Sequence, residues 1–184
     1  MTLAVATKVS GSDRRPLLFI GTSKVPRPLK DRVVETEIGV KYTNSQNAWI
    51  NSNIYCEWLK ALDADIRQQD RQILLLEDSV SSHKHDSLEL TNVRVAKLPP
   101  NTAAVLQPLD QGIIKDNFFA VSAGEEYQRF KNGKPYEPIN IYTAMKICAD
   151  AWKEVSDETI QNCWRHTKIA PSLNVPVDLR SLLN

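Results

Sequence analysis

The segment Arg71-Gln72-Ile73-Leu74-Leu75-Leu76-Glu77-Asp78 sets the architecture of this chain. Its mostly apolar run, residues 72–76, predicts a short, fully buried strand of the kind found in the middle of a covered sheet. A second segment, Leu98-Pro99-Pro100-Asn101, ends a later strand and leads to Asp110, 32 positions after Asp78. An order of strand, turn, strand, turn and helix can bring two such acids onto one metal ion. Since Mg²⁺ takes oxygen ligands, convergent carboxylates predict a metal site.

Patterning on either side of these segments predicts the remaining strands and helices. Alternating or short apolar runs indicate strands, and apolar residues recurring every three to five positions indicate helices. The predicted strands cover residues 2–8, 16–21, 39–42 and 92–98, with a turn at 11–14. The predicted helices cover residues 47–68, 113–127, 139–155 and 156–166, the last capped by Ser156. Residues 23–46 are otherwise predicted to be an extended connection.

Five blocks, in order along the chain, resemble one family of enzymes. They read RRPLLFIGTSKVPRPLK, NAWINSNIYCEWLKALD, ILLLEDSVSSH, LPPNTAAVLQPLDQGII and AWKEVSDETIQNCWRHTKI. Together they resemble the catalytic domain of DDE superfamily transposases, in the pogo/Tigger branch that also includes jerky and centromere protein B. The resemblance implies an α/β, ribonuclease H-like mixed sheet flanked by helices, and metal-dependent cleavage and strand transfer of DNA. Residues 1–170 are expected to be a partial domain of this kind, and 171–184 a tail.

The resemblance also implies a third acid that this chain lacks. In the family, that acid ends an opening strand that would precede Thr2, and Asp13 is the only acid among the first thirty residues. The first central strand is therefore expected to be missing, and the chain to be an N-terminally truncated and inactive form. A domesticated, non-catalytic DNA-binding or assembly protein is the main alternative, and a non-functional remnant is another.

Asp78 and Asp110 are the candidate catalytic and metal-binding residues. By the resemblance they would hold Mg²⁺ or Mn²⁺ in a two-metal arrangement that activates the attacking oxygen. On pattern alone, a helix N-cap is the favoured interpretation of Asp110, and a turn residue at a strand end is the alternative for Asp78. His83 matches a family position near the metal, where it would assist proton transfer or make a structural hydrogen bond. Gln107 would orient Asp110 or contact DNA.

Basic residues near the amino terminus are the candidate DNA contacts. Their default interpretation is a solvated surface, but a cluster near the active face would bind phosphates with salt-sensitive affinity. The cluster consists of Arg14, Arg15, Lys24, Arg27, Lys30 and Arg32. A pair of histidines, His83 and His85, could be read as zinc ligands, but two without a third ligand are more typical of a solvated loop.

The amino-acid composition limits the classes of protein to which this chain can belong. Apolar residues make up 42% and charged residues 24% of the 184-residue chain, as in ordinary globular domains. The net charge of +1 is low for a stand-alone DNA-binding domain, so we expect the family's N-terminal helix-turn-helix region to carry most DNA affinity. No apolar run is long enough to span a membrane, and a nuclear location and a homodimer fit a transposase-like protein. Three scattered cysteines predict free thiols.

Three further expectations concern burial. The four tryptophans are predicted to lie on helices and to pack in the core. The acids and arginines near residues 63–71 are predicted to form a solvated helix face. Glu77 is predicted to point away from Asp78, where burial without a partner would be costly.

Overall fold

A computed structural model describes residues 1–80, 88–110, 131–133 and 139–169 of the chain. The strands are β1 (Thr2–Ala4), β2 (Leu18–Gly21), β3 (Lys41–Asn44), β4 (Ile73–Glu77) and β5 (Val93–Lys97). The α-helices are α1 (Val34–Ile38), α2 (Ser52–Gln68), α3 (Ala103–Leu106), α4 (Ile141–Glu154) and α5 (Asp157–His166). Single turns of 3-10 helix occur at Arg27–Leu29 and Pro108–Asp110.

The described strands form two sheets where the sequence predicts one. β1, β2 and β3 pair in that order, antiparallel between β1 and β2 and parallel between β2 and β3. β4 and β5 form a separate parallel pair in which Glu77 lies opposite Lys97. Within the described residues, β1 and β4 are therefore each paired along one edge only. The mixed α/β class is confirmed, and the described strands do not form a single continuous sheet.

Helix α2 covers one face of both sheets. Asn51 caps it by accepting a hydrogen bond from the Ile54 amide at 3.0 Å, which satisfies one of the free donors of the first turn. Ile50 and Trp58 contact the cluster around Leu18 and Ile20 of β2 as well as the cluster beneath β4 and β5. The two sheets are thus held side by side by one shared helix.

The other face of β2 carries the largest core cluster. Because side chains alternate along a strand, Phe19 points opposite to Leu18 and Ile20. Phe19 packs among Met145 and Trp152 of α4 and Ile160 of α5. Ser156 begins α5 by accepting from the Thr159 amide at 3.0 Å, as the sequence predicts. Helices therefore cover β2 on both faces, which agrees with the expected flanking layers.

Several elements differ from the sequence-based expectations. The connection at 23–46 contains α1 and a 3-10 turn, and the strands of the first hairpin are shorter than predicted. The strand residues Ile73–Leu76 are half-buried, not fully buried. The expected helix at 113–127, the tail at 171–184 and the two histidines at 83 and 85 lie outside the described residues. No helix in the described part of the chain is long and apolar enough to cross a membrane.

Candidate functional site

The direction of α2 is fixed by contacts at both of its ends. Near its start, the Tyr55 hydroxyl donates to Glu77, the last residue of β4. Near its end, the carbonyl of Ile66 accepts from the amide of Arg71 at 3.1 Å, just before β4 begins. Helix α2 therefore runs antiparallel to β4, and the segment that precedes α2 lies at the end of the molecule where β4 stops.

A second set of contacts aligns the two sheets. Arg15 forms an ion pair with Asp65, and Arg71 pairs with Asp13 at 3.4 Å. These pairs join the residues before β2 to the residues before β4, so both parallel strand pairs start at one end of the molecule and stop at the other. We call the second end the carboxyl edge, and it carries residues 22–24 after β2, 45–51 after β3, Asp78 after β4 and Leu98 after β5.

Asp78 lies half-buried at the carboxyl edge. It directly follows Glu77, whose carbonyl accepts from the Leu98 amide at 2.7 Å and so extends the β4–β5 pairing to the last residue. The carboxyl ends of parallel strands are where ligands commonly bind in α/β sheets. The position of Asp78 is therefore suited to a ligand role.

Asp110 ends the 3-10 turn that follows α3. Its amide donates to the carbonyl of Gln107 at 3.1 Å, and its side chain is exposed. The neighbouring Leu109 packs on the large core cluster and anchors this turn. Gln107 is half-buried at the end of α3. The order strand, acid, strand, turn, acid predicted from the sequence is the order that the structure has.

The donors among the described residues do not make a complete metal site. Among the described residues, no group of three or more histidine, cysteine, aspartate or glutamate side chains lies close enough to hold an ion. Asp78 and Asp110 supply two carboxylates, and a Mg²⁺ site of this type needs convergent oxygen ligands. His83 lies outside the described residues.

Glu77 points into the interior, as its position in the strand predicts, but it has a partner there. Glu77 is buried and accepts from the Tyr55 hydroxyl, itself buried at 3% exposure. Burial, and then the hydrogen bond to Glu77, raise the pKa of Tyr55, so the hydroxyl stays protonated and remains a donor. The Glu77 carboxylate at the end of the apolar strand β4 is thus hydrogen-bonded by Tyr55 of α2.

Asp63 contradicts the predicted solvated face. It is buried, and its Oδ1 accepts from the amides of Thr91, Asn92 and Val93 at 2.7–3.0 Å. Burial acts to raise the pKa of Asp63, but these hydrogen bonds outweigh it and lower the pKa. The prediction that Asp63 is solvated is wrong because the helical period of α2 carries no information about the backbone amides at the start of β5, which need an acceptor. Arg67 on the same helix stays exposed and pairs with Asp63.

Five of the six basic residues of the candidate DNA-contact cluster fall into two groups, and the sixth, Arg32, pairs with Glu37 at 2.9 Å. Arg14 donates to Asp157 at 2.6 Å and to the Trp152 carbonyl at 2.9 Å, and Arg15 pairs with Asp65. Those two arginines therefore tie the first hairpin to the helices. The second group is Lys24, Arg27 and Lys30, which are exposed on the connection after β2 and take part in none of the ion pairs between described residues.

Trp49 contradicts the prediction that every tryptophan is in the core. Helix α2 begins at Ser52, not at residue 47, so Trp49 lies in the loop before the helix with 73% of its surface exposed. The signal was present in the sequence, since Asn51 is a better cap than Asn47 for the apolar stripe that follows. Trp152 is buried, and Trp58 and Trp164 are half-buried, as predicted.

Comparisons with known proteins agree on one family. The family described as DDE superfamily endonuclease matches residues 1–164. Among curated proteins, ARS-binding protein 1 of Schizosaccharomyces pombe is 29% identical over 89% of this chain and 34% of its own length. Tigger transposable element-derived protein 4 of Mus musculus is 30% identical over 62% of this chain and 22% of its own length. The human Jerky protein homolog is 27% identical over 94% of this chain and 31% of its own length.

The chain thus spans about a third or less of the length of these relatives. No solved structure matches the chain significantly.

Proposed function

Because this chain belongs to the DDE superfamily endonuclease family, we propose that it is a transposase-derived nucleic-acid-binding domain that holds DNA at its carboxyl edge. The observation that carries the proposal is the position of Asp78, at the end of β4, in a chain whose match to an endonuclease family runs over residues 1–164. The relatives include proteins named as transposable-element derivatives and one named for binding ARS.

The fold that we propose is a ribonuclease H-like sheet without its first central strand. Three features support it: two separate sheets with parallel strand pairs, the single helix α2 that covers both, and β1 and β4 each paired along one edge within the described strands. One additional strand, placed between β1 and β4, would join the two sheets into the mixed sheet of that fold. The same strand would carry the third acid that the site needs.

Asp78 and Asp110 are proposed as two of the metal ligands of the ancestral enzyme. Enzymes of the superfamily generally use divalent metals, and Mg²⁺ or Mn²⁺ would supply the activation of the attacking oxygen. His83 and Gln107 are proposed to act beside these acids, in proton transfer and in orienting Asp110 or contacting DNA. With two carboxylates among the described residues, we propose that the chain binds DNA without cleaving it.

Lys24, Arg27 and Lys30 are proposed as the main phosphate contacts. They follow β2 and so begin at the carboxyl edge, and their charges are not neutralised by ion pairs with described acids. Arg14 and Arg15 remain candidates, but their carboxylate partners would have to be displaced or shared. A separate helix-turn-helix region, as in the longer family members, would add affinity to this modest patch.

The alternative to an inactive remnant of an endonuclease is a domesticated protein for which non-catalytic DNA binding or assembly is itself the function. The names of relatives such as ARS-binding protein 1 and the Mus musculus Major centromere autoantigen B, 23% identical over 96% of this chain, favour it. We propose a nuclear location on the same grounds, and a homodimer because cut-and-paste reactions act on paired DNA ends.

The salt dependence of DNA binding tests the proposal. The slope of log K against log salt is negative and becomes steeper with each phosphate contact. If Lys24, Arg27 and Lys30 each contact one phosphate, replacing all three by alanine reduces the magnitude of this slope by about 3. A matched control replaces three exposed lysines on helices, Lys60, Lys146 and Lys153, which removes the same charge. Equal losses in the two variants, or a wild-type chain that binds no DNA, would refute this assignment.

A further inference from the structure

The loop between β3 and α2 has an unusual composition. From Tyr42 through Cys56 there is no charged side chain, and five positions are amides: Asn44, Gln46, Asn47, Asn51 and Asn53. Trp49 lies in the middle of this run and is 73% exposed, more than any other large apolar residue of the described chain. Tryptophan is enriched at interfaces, where its ring buries a large area and its N–H finds a partner, so an indole exposed at the centre of this uncharged, amide-rich loop is a candidate contact residue.

The backbone of this loop is fixed. The Ser45 amide donates to the Gly21 carbonyl at 3.0 Å, and the Ser45 hydroxyl donates to the Trp49 carbonyl at 2.7 Å. Ala48 is buried and takes a left-handed conformation with φ of 54°. Ile50, which follows Trp49 in the chain, packs against both core clusters beneath α2. Trp49 is therefore presented on a rigid loop, so little conformational entropy would be lost when it binds a partner.

The loop lies at the same end of the molecule as Asp78. Trp49 precedes α2 by three positions, and Tyr55 in the first turn of α2 bonds to Glu77, the neighbour of Asp78. The exposed indole and the candidate metal ligand thus share the carboxyl edge.

We propose that Trp49 stacks on an unpaired nucleobase of DNA held at the carboxyl edge. This inference rests on the proposed function. It adds that the DNA bound at the carboxyl edge has at least one unstacked base. Stacking on an aromatic ring suits every base because each has a π face. The exposed Gln46 and Asn47 offer amides, the groups that bond in pairs to an adenine edge. The uncharged run presents no acid to repel the adjoining phosphates.

Fluorescence and affinity measurements on the full 184-residue chain test the proposal. The probes are a blunt duplex and the same duplex with a short single-stranded overhang carrying 2-aminopurine. For the overhang probe, Trp49→Ala is expected to weaken binding roughly 5- to 100-fold, and Trp49→Phe, which keeps a ring, much less. The salt slope should not change, since no phosphate contact is lost. Val33→Ala, which alters another exposed apolar residue, is the matched control.

Each outcome has a distinct meaning. Stacking is supported if Trp49→Ala loses affinity for the overhang probe and not for the blunt duplex. The quenching of 2-aminopurine fluorescence should then be lost as well, and the salt slope should stay unchanged. Wild-type affinity of Trp49→Ala for both probes overturns this inference and leaves the proposed DNA binding intact. A wild-type chain that binds neither probe overturns both. If Trp49→Ala alters neither affinity nor quenching but abolishes self-association measured by sedimentation, Trp49 serves a protein interface instead and the inference is wrong.

Discussion

At the scale of single residues, Asp63 is the side chain whose loss should affect stability most. One oxygen accepts from three backbone amides at the start of β5, of which the Val93 amide is buried and the other two are partly buried. A buried donor left without an acceptor costs about 1–3 kcal/mol, so Asp63→Ala is expected to lower the free energy of unfolding by about 1–3 kcal/mol, measured by urea titration. Asp150→Ala, at an exposed ion pair with Lys153, should change it by about 0.5 kcal/mol or less.

Asp63 also predicts a pH dependence. Its pKa in the folded chain is lowered from the ordinary value, so its contribution is present in full above the unfolded pKa of about 3.9. That contribution is lost as pH falls through the folded pKa. The stability difference between wild type and Asp63→Asn should therefore shrink as the pH is lowered from 6 to 2. A difference that stays constant with pH would contradict the assignment.

The Tyr55–Glu77 hydrogen bond gives a second prediction for single residues. Tyr55→Phe removes a buried donor to a carboxylate, and is expected to destabilise the chain by about 1–3 kcal/mol. In Glu77→Gln the loss caused by Tyr55→Phe should be smaller, since the acceptor is no longer a carboxylate. A double-mutant cycle by thermal or urea unfolding measures this coupling. Additive effects of the two changes would mean that the bond contributes nothing.

These residues also show which features of the structure could be predicted from the sequence and which could not. The strand that precedes Asp78 and the turn leading to Asp110 could be predicted because apolar runs and prolines act locally. The partners of Glu77 and Asp63 could not, because they come from positions 22 and 28–30 residues away in the chain. Burial of a polar side chain depends on such distant partners, and a local pattern does not contain them.

At the scale of secondary-structure elements, the cap of α5 is the most direct test. Ser156 accepts from the Thr159 amide, and removing a cap of this kind typically costs about 1 kcal/mol. Ser156→Ala is therefore expected to lower the melting temperature by a few degrees. Ser156→Asp, which keeps an acceptor and complements the helix dipole, should retain most of the stability. Equal melting temperatures for all three proteins would show that the cap is not used.

Element boundaries were predictable where a cap or proline marks them. Ser156 begins α5 as expected, and Pro99 follows the end of β5 closely. Helix α2 begins five residues later than predicted because Asn51, not a residue near 47, is the cap. That shift of little more than one turn decides whether Trp49 is a core residue or an exposed one. The short helix α1 lacked a side-chain cap and was missed for that reason.

At the scale of the whole molecule, the two separate sheets make a prediction about backbone protection. β2 is paired along both edges, whereas β1 and β4 are each paired along one edge within the described strands. Amides of β1 and β4 that point away from β2 and β5 are therefore expected to exchange with deuterium faster than those of β2. The measurement is hydrogen exchange at residue resolution. Protection in β1 and β4 equal to that in β2 would contradict the open edges.

The architecture was predictable in class but not in connectivity. Strand and helix types followed from hydrophobic period, and the family's five blocks implied the layers of helices that enclose β2. The division into two sheets follows from long-range pairing, which a single sequence does not specify. For the site, the ligand roles of Asp78 and Asp110 stay predictions from the sequence, while the exposure of Trp49 depends on the start of α2 at Ser52.

The central claim is that this chain holds DNA without cutting it, and one gel measurement tests it. Supercoiled plasmid is incubated with the chain in Mg²⁺, and both retarded and nicked species are scored, for wild type and for Asp110→Ala. We expect retardation, no nicked circles, and no difference between the two proteins. Nicked circles that require Mg²⁺ and disappear in Asp110→Ala would contradict it and show a working nuclease.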